Sequence, residues 1–178
     1  RVKDPLNLEE NKRLMVVMQD LSYYLGHSYD KPDKTYQTIE PINSKKCTFS
    51  QVGDIVIGLT VNKAMVIDDE SKLALVPSNF ALIRIDHKLV NPYYLIWFIN
   101  ESTEYKKQSE VINQGSSIKS ISIKELRDIQ CNLPEYSYQE KVGNLYKLVL
   151  EKEKLEKKQN RYLIKLLTGI NYLKGEQI

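Results

Sequence analysis

The sequence predicts an α+β fold: a mixed, twisted β-sheet domain with flanking helices, followed by a long C-terminal helix that packs against a partner helix. Three observations predict it. Residues 139–173 contain no proline, only Gly143 and Gly169 as glycines, and many Leu, Lys, Glu and Gln residues, which lose little rotamer freedom in a helix. Between Val52 and Ile85 short β-branched and aliphatic runs alternate with polar turns, as in a small sheet. Asn91-Pro92 then opens a helix, with Asn91 as N-cap and Pro92 at the first helical position, where its missing N–H costs nothing.

In chain order, Val2–Glu10 with Pro5 is an irregular lead-in. Leu14, Val17, Met18, Leu21 and Leu25 recur at helical spacing and predict a helix over 8–26 that ends at Gly26, although Leu14-Met-Val-Val-Met18 also fits a short buried strand. Polar residues from His27 to Lys34, with a Pro32-Asp33 turn, form a loop. Tyr36–Ile42 and Cys47–Phe49 read as short strands. Val52-Gly-Asp-Ile-Val-Ile-Gly58 reads as a turn and a buried strand that forms a hairpin with Lys63–Ile67 across Thr60-Val-Asn62. Asp68–Ser71 is a turn, and Leu73–Val76 and Phe80–Ile85 are two more strands.

The helix from Asn91 runs to about Asn100, and a further helical turn extends through Lys107. Val111–Lys119 is a loop. Ser122 and Glu125 fit a capping box, Ile129–Leu133 is a last strand, and Pro134 stops it. The helix over 139–173 carries Val142, Leu145, Leu148, Val149, Leu155, Tyr162, Leu163, Leu166, Leu167, Ile170 and Leu173 on one broad stripe. At about 1.5 Å per residue it is about 50 Å long, too long for the remaining domain to cover, so part of it projects. Its charged middle, Glu151–Arg161, makes it a spacer. The apolar repeat is too interrupted for a strict heptad seam, so loose pairing with another long helix is expected, with Leu148, Leu155, Tyr162 and Leu166 as contact residues. The division is a recognition domain over 1–138 and a dimerisation and spacing helix over 139–178.

Composition bounds the function. A hydrophobic content of 42%, 28% charged residues and a mean hydropathy of −0.43 describe a folded, water-soluble chain. No run approaches a membrane span and residues 1–5 hold no signal-peptide core, so the expected compartment is the cytoplasm. The net charge of +3 permits contact with a polyanion without demanding it. Cys47 and Cys131 lack a partner at metal-ligand spacing and carry no assigned chemistry.

Three constellations imitate catalytic sites. Asn91-Pro-Tyr-Tyr94 approaches the Asn-Pro-Pro-Tyr motif that grips a flipped base, but it lacks the second proline and no glycine-rich cofactor loop precedes it. Pro32-Asp33 with Glu70-Ser-Lys72 imitates a nuclease metal signature, yet Glu70 and Lys72 fall in a turn. His27 and His87 have no partner at triad-like spacing. What remains is a recognition surface: Ser, Asn, Gln, Lys and Tyr crowd the loops at 22–36, 60–63 and 113–119, and such side chains read base edges or hold phosphates.

Val52-Gly-Asp-Ile-Val-Ile-Gly58 with Asn62-Lys-Ala-Met-Val-Ile67, then Asn91-Pro-Tyr-Tyr-Leu95 leading to Gln114-Gly-Ser-Ser-Ile118, then Leu126, Asn132-Leu-Pro134, Gln139-Glu140 and Leu166-Leu-Thr-Gly169 follow one another in an order that resembles the specificity subunit of type I restriction–modification systems. The resemblance covers nearly the whole chain. It implies a target recognition domain that reads one half of a bipartite double-stranded DNA site, joined to a conserved-region helix that sets the distance to a second such domain. The family's subunits usually carry two units; this chain carries one and so looks like a half-subunit that restores the two-fold arrangement as a homodimer. The resemblance further implies no catalysis and no cofactor in this chain. Chemistry would belong to a methyltransferase subunit and, through it, a restriction subunit. Asn62, Lys63, Gln114, Ser116, Ser117 and Lys119 are the expected DNA contacts, with Lys31, Lys34 and Tyr36 behind them. A module that binds the methyltransferase subunit without reading DNA, as assembly regulator or decoy, is the rival reading.

Overall fold

The computed structural model describes residues 12–28, 30–39, 47–112 and 120–175. The fold is α+β. Strands β1 (Lys12–Leu14) and β2 (Tyr36–Thr38) form an antiparallel ribbon, and β3 (Ile55–Gly58) lies between β4 (Lys63–Val66) and β5 (Phe80–Ile83) in an antiparallel sheet of order β4-β3-β5. Among the described residues five α-helices accompany them: α1 (Met18–Tyr24), α2 (Pro92–Glu101), α3 (Thr103–Ile112), α4 (Ile123–Asp128) and α5 (Tyr136–Gly175). Ile55 pairs with Val66 on one side and Ile83 on the other, and Gly58 with Lys63 and Phe80. As the central strand, β3 is buried throughout, and its Ile55, Val56 and Ile57 show no exposed surface. Ile96, Phe98 and Ile99 of α2 and Tyr146 and Leu150 of α5 complete the same core.

The expected hairpin, the strand at Phe80, the Asn91 cap and the Ser122–Glu125 capping box all form. Asn91 Oδ1 accepts the N–H groups of Tyr93 and Tyr94 at 3.0 and 3.1 Å, two of the four donors that open a helix. At α4, Ser122 Oγ accepts the Glu125 N–H while the Glu125 carboxylate accepts the Ser122 N–H at 2.6 Å, which holds that carboxyl below its usual range. Asp69–Ser71 makes a single 3₁₀ turn capped by Asp68.

The helix expected over 8–26 is corrected. Within the described residues its first half is β1, and only Met18–Tyr24 is helical. Leu14–Met18 takes its alternative, extended form because the backbone is held on both sides. Met15 N–H donates to Thr35 O, while Leu14 O and Val16 N–H bond to Leu75 at 2.6 and 2.9 Å, which buries Val16. Gly26 ends α1 as expected: at φ +70° its N–H reaches Tyr23 O and that of His27 reaches Ser22 O, the two bonds of a Schellman cap.

Four strand expectations change as well; Cys47–Phe49 contributes only the isolated bridge of Phe49 to Leu75. Leu73–Val76 contributes only isolated bridges at Leu75, parallel to Met15 and antiparallel to Phe49, and Leu73 sits at φ +57°. Ile129–Leu133 is not a strand; Gln130 exchanges its backbone N–H and C=O with the side-chain amide of Gln108 on α3, both at 2.8 Å, so an amide side chain takes the place of a neighbouring strand. β2 is Tyr36–Thr38, and the rest of the strand expected to Ile42 lies largely outside the described residues.

Helix α5 is 40 residues and about 60 Å long. It starts at Tyr136, so the division placed at 138/139 falls inside its first turn. One face, with Gln139, Gly143, Tyr146 and Leu150, is buried against the body. The Gln139 side chain joins three backbones: its Oε1 accepts Asn91 N–H at 3.0 Å, and its Nε2 donates to Leu89 O and Pro134 O at 3.2 and 2.8 Å. At Gly143 a Cβ would stand 2.5 Å from Asn91 Oδ1, so only glycine lets α5 lie this close to the start of α2. From Leu155 to Gly169 every residue except Arg161, which pairs with Asp30, is exposed, and the length beyond Arg161 projects. Among the described residues no helix is long and apolar enough to cross a membrane.

Candidate nucleic-acid interface

The β1–β2 ribbon carries the most exposed polar strand surface of the fold. Lys12 faces Thr38, Arg13 faces Gln37 and Leu14 faces Tyr36. Directly opposed residues share a face, so Arg13 and Gln37 point to one side of the ribbon and the other two pairs to the opposite side. Leu14 packs on the core and fixes which side is inward, leaving Arg13 and Gln37 together on the outer side. All three residues of β2 are exposed, and Tyr36 is 55% accessible. Lys34 is exposed just before β2. The bonds from Leu14 and Val16 to Leu75 tie the ribbon's base to the body, so its outer side is held in a fixed position.

A two-stranded ribbon of this kind fits the major groove of duplex DNA. There an arginine can bond in a fork to guanine, a glutamine to adenine, and lysines can engage phosphates. Lys31 stands at the ribbon's flank and bonds to Glu70, which raises its pKa. Of the Glu70–Lys72 segment, Glu70 is held by Lys31 and Lys72 pairs with Asp69 at 3.2 Å, so both charges are used in ion pairs. Among the described residues no group of three or more His, Cys, Asp or Glu side chains could hold a metal ion.

Asn62 ends the turn between β3 and β4 and Lys63 is the first residue of β4, and both side chains are engaged within the fold. Asn62 sits at φ +51°, its N–H reaches Gly58 O at 2.8 Å, and its Oδ1 accepts the hydroxyl of Tyr105 from α3. Lys63 Nζ donates to Asn100 O at the end of α2 and lies 3.5 Å from the Glu101 carboxylate. This turn is braced from below, and its exposed residues are Thr60 and Val61. Gln114, Ser116, Ser117 and Lys119 lie outside the described residues. Ile121, soon after them, is buried and bonds to Leu59 O at 2.9 Å. Asn91-Pro-Tyr-Tyr94 is a helix cap docked on Gln139, which accounts for the Asn91 side-chain oxygen and backbone N–H.

The second surface is the outward face of α5. Leu148, Leu155, Tyr162 and Leu166 are 61%, 66%, 54% and 63% exposed, on the side away from the body. The helix is oriented by contacts on its inner side. The Lys154 ammonium lies 4.6 Å from the Tyr24 ring centre and 5.5 Å from that of Tyr23, and burial lowers its pKa; Arg161 pairs with Asp30.

Arg13 and Gln37 are the site residues that sequence reasoning missed. Their signal lies in Lys12-Arg13 and in the polar, β-prone Tyr36-Gln-Thr38, but the helix expected over 8–26 covers the first pair. No protein-family model matches the chain, and no curated protein is significantly similar to it.

Proposed function

We propose that this chain is the non-catalytic DNA-reading component of a type I restriction–modification complex, recognising one half of a bipartite site, docking a methyltransferase subunit and acting in the cytoplasm as a homodimer through α5. The observation that carries the reading is the anchored β1–β2 ribbon, with Arg13 and Gln37 side by side on its outer side and the exposed Lys34 just before β2. The projecting α5, with an apolar face turned away from its own body, supports the pairing. Methylation and cleavage belong to the partner subunits.

The test is selection from a randomised duplex pool by the purified chain with a type I methyltransferase subunit, followed by binding measured against salt. Arg13→Ala is expected to relax preference at one position, at a cost of about 1–3 kcal/mol on the preferred site. Lys34→Ala is expected to weaken binding to all sequences and reduce the salt slope by about one. Enrichment of no sequence refutes the reading, as does methylation or cleavage by the chain alone. The exposed face of α5 favours a second reading, an interaction module that binds the methyltransferase subunit without reading DNA; it requires that adding this chain suppress specific DNA binding.

A further inference from the structure

Two of the described lysines are not exposed, Lys63 and Lys154, and their surroundings differ. The Lys63 ammonium has oxygen partners, Asn100 O and the Glu101 carboxylate. That of Lys154 lies over the faces of Tyr24 and Tyr23, 4.6 and 5.5 Å from the ring centres, and among the described residues no carboxylate pairs with it. From Glu151 to Asn160 it is the one residue of α5 that is not exposed.

The Lys154 amine stands at a cavity of about 220 Å³ where α1, the loop at Lys31, the end of β4, α2 and α5 meet. Aromatic rings attract a cation, but they do not replace the hydrogen bonds that water gives it. Loss of that water dominates here. Burial lowers the Lys154 pKa, Glu151 and Asp68 oppose the shift without cancelling it, and Lys31 reinforces it. More uncharged amine is therefore present at neutral pH than in an exposed lysine, and the uncharged amine is the nucleophile.

Two further features of the cavity suit an incoming group. The Tyr24 hydroxyl in its wall is buried and, among the described residues, meets no partner in hydrogen-bond geometry, so it has a bond to give to an oxygen brought inside. Lys31 lines the same cavity with a side chain that is 52% exposed. Of its three N–H groups one goes to Glu70, which leaves donors for an anion at the cavity's edge.

We infer that Lys154 is an acylation site whose donor is a small acyl phosphate, the acyl end entering the cavity and the phosphate meeting Lys31. The lone pair of Lys154 Nζ attacks the carbonyl carbon and forms the C–N bond. The bond from that carbon to the phosphate oxygen breaks, inorganic phosphate leaves with the electron pair, and the amine's proton passes to water. The product amide is neutral. It keeps the lysine stem on the rings but cancels the charge they attract, so acylation loosens α5 from α1 at that point. Neighbouring lysines lack this setting. Lys147 also lies over a ring, 5.4 Å from the Tyr93 centre, but is exposed, and Lys152 is 73% exposed and pairs with Glu156 at 3.5 Å.

The test is limited acetylation of the intact chain by acetyl phosphate, with mass spectrometry of each lysine peptide. Lys154 is expected to react several-fold faster than Lys147 and Lys152, with a rate that levels off at lower pH than theirs, and to lose this lead in urea. A rate no higher than theirs refutes the site, and a lead that survives unfolding refutes the cavity's part in it. Acetic anhydride, which carries no phosphate, isolates the donor. In Lys31→Ala the Lys154 rate with acetyl phosphate, divided by that with acetic anhydride, is expected to fall several-fold. The division removes the influence of Lys31 on the amine itself, and an unchanged ratio overturns the acyl-phosphate assignment.

Discussion

Asn100 closes the open edge of the sheet at Ala64. Its Oδ1 accepts the Ala64 N–H at 2.7 Å and its Nδ2 donates to Ala64 O at 3.0 Å, so a side chain of α2 supplies the bonds a further strand would make beside β4. The same amide donates to Tyr146 Oη at 3.1 Å and thereby links sheet, α2 and α5 in a fully buried spot. Asn100→Leu keeps the branched shape at Cγ, adds some bulk and strands both Ala64 groups away from water. It is expected to destabilise the fold by about 3 kcal/mol, read from urea unfolding. Asn100→Asp retains the acceptor but not the donor and should fall in between; a Leu variant as stable as the parent would refute the edge-closing role.

Gly143 and Gly169 lie in one helix and should respond with opposite sign. A Cβ at Gly143 would meet Asn91 Oδ1 at 2.5 Å and Tyr94 N at 3.0 Å, and a Cβ at Gly169 meets nothing within 4 Å. Gly143→Ala is expected to cost about 2 kcal/mol in spite of alanine's better helix propensity, because α5 must move off the start of α2. Gly169→Ala should raise helicity by circular dichroism and contribute about 0.5–1 kcal/mol to the local helix.

Lys63 separates structural from binding charge. Its ammonium bonds to Asn100 O and neighbours Glu101, so Lys63→Ala should lower stability by about 1 kcal/mol while leaving the salt slope of DNA binding where it was. Lys34→Ala should do the reverse. A slope that drops with Lys63→Ala would put the β3–β4 turn on the DNA.

Alkaline pH should unfold the protein from about pH 9 upward. Burial pushes the Cys131 thiol up from 9.0 to about 11 and the Tyr105 hydroxyl up from 10.0 to about 12, and raises those of Tyr24 and Tyr146 as well. For a raised folded value the unfolded chain loses its proton first. Stability is therefore complete below the unfolded value and is lost as pH climbs toward the folded one. Lys154, lowered by burial, works the other way in the same range, against these four groups and against Tyr94, raised by burial, and Lys31, raised by its bond to Glu70. Urea midpoints measured from neutral pH to about pH 11 should fall, and in Cys131→Ala the fall should begin about one pH unit later.

Much of the fold was legible because local chemistry and tertiary structure agreed. The Asn91-Pro92 start, the Ser122–Glu125 box, the Gly26 stop and the long helix each follow from backbone needs that neighbouring residues meet. Leu14–Met18 was ambiguous because five apolar residues fit either period, and what decided it was Leu75, some sixty residues on. Ile129–Leu133 looked like a strand because the sequence does not announce that Gln108 will bond its backbone. The site was read at the level of residue type. Asn62 and Lys63 are polar and stand at the end of a turn and the start of a strand, but Tyr105, Asn100 and Glu101, which engage them, lie about forty residues away.

The way α5 finishes the core sets a timetable for the growing chain. Tyr146 and Leu150 fill gaps beside strands made roughly ninety residues earlier, and Gln139 bonds the backbone at Asn91. Until these residues have left the ribosome, β3 and α2 lack part of the cover they have in the finished fold. The nascent chain thus passes through an interval in which this apolar strand is accessible to chaperones, and this unit should complete its fold only once Tyr146 and Leu150 have emerged rather than strand by strand.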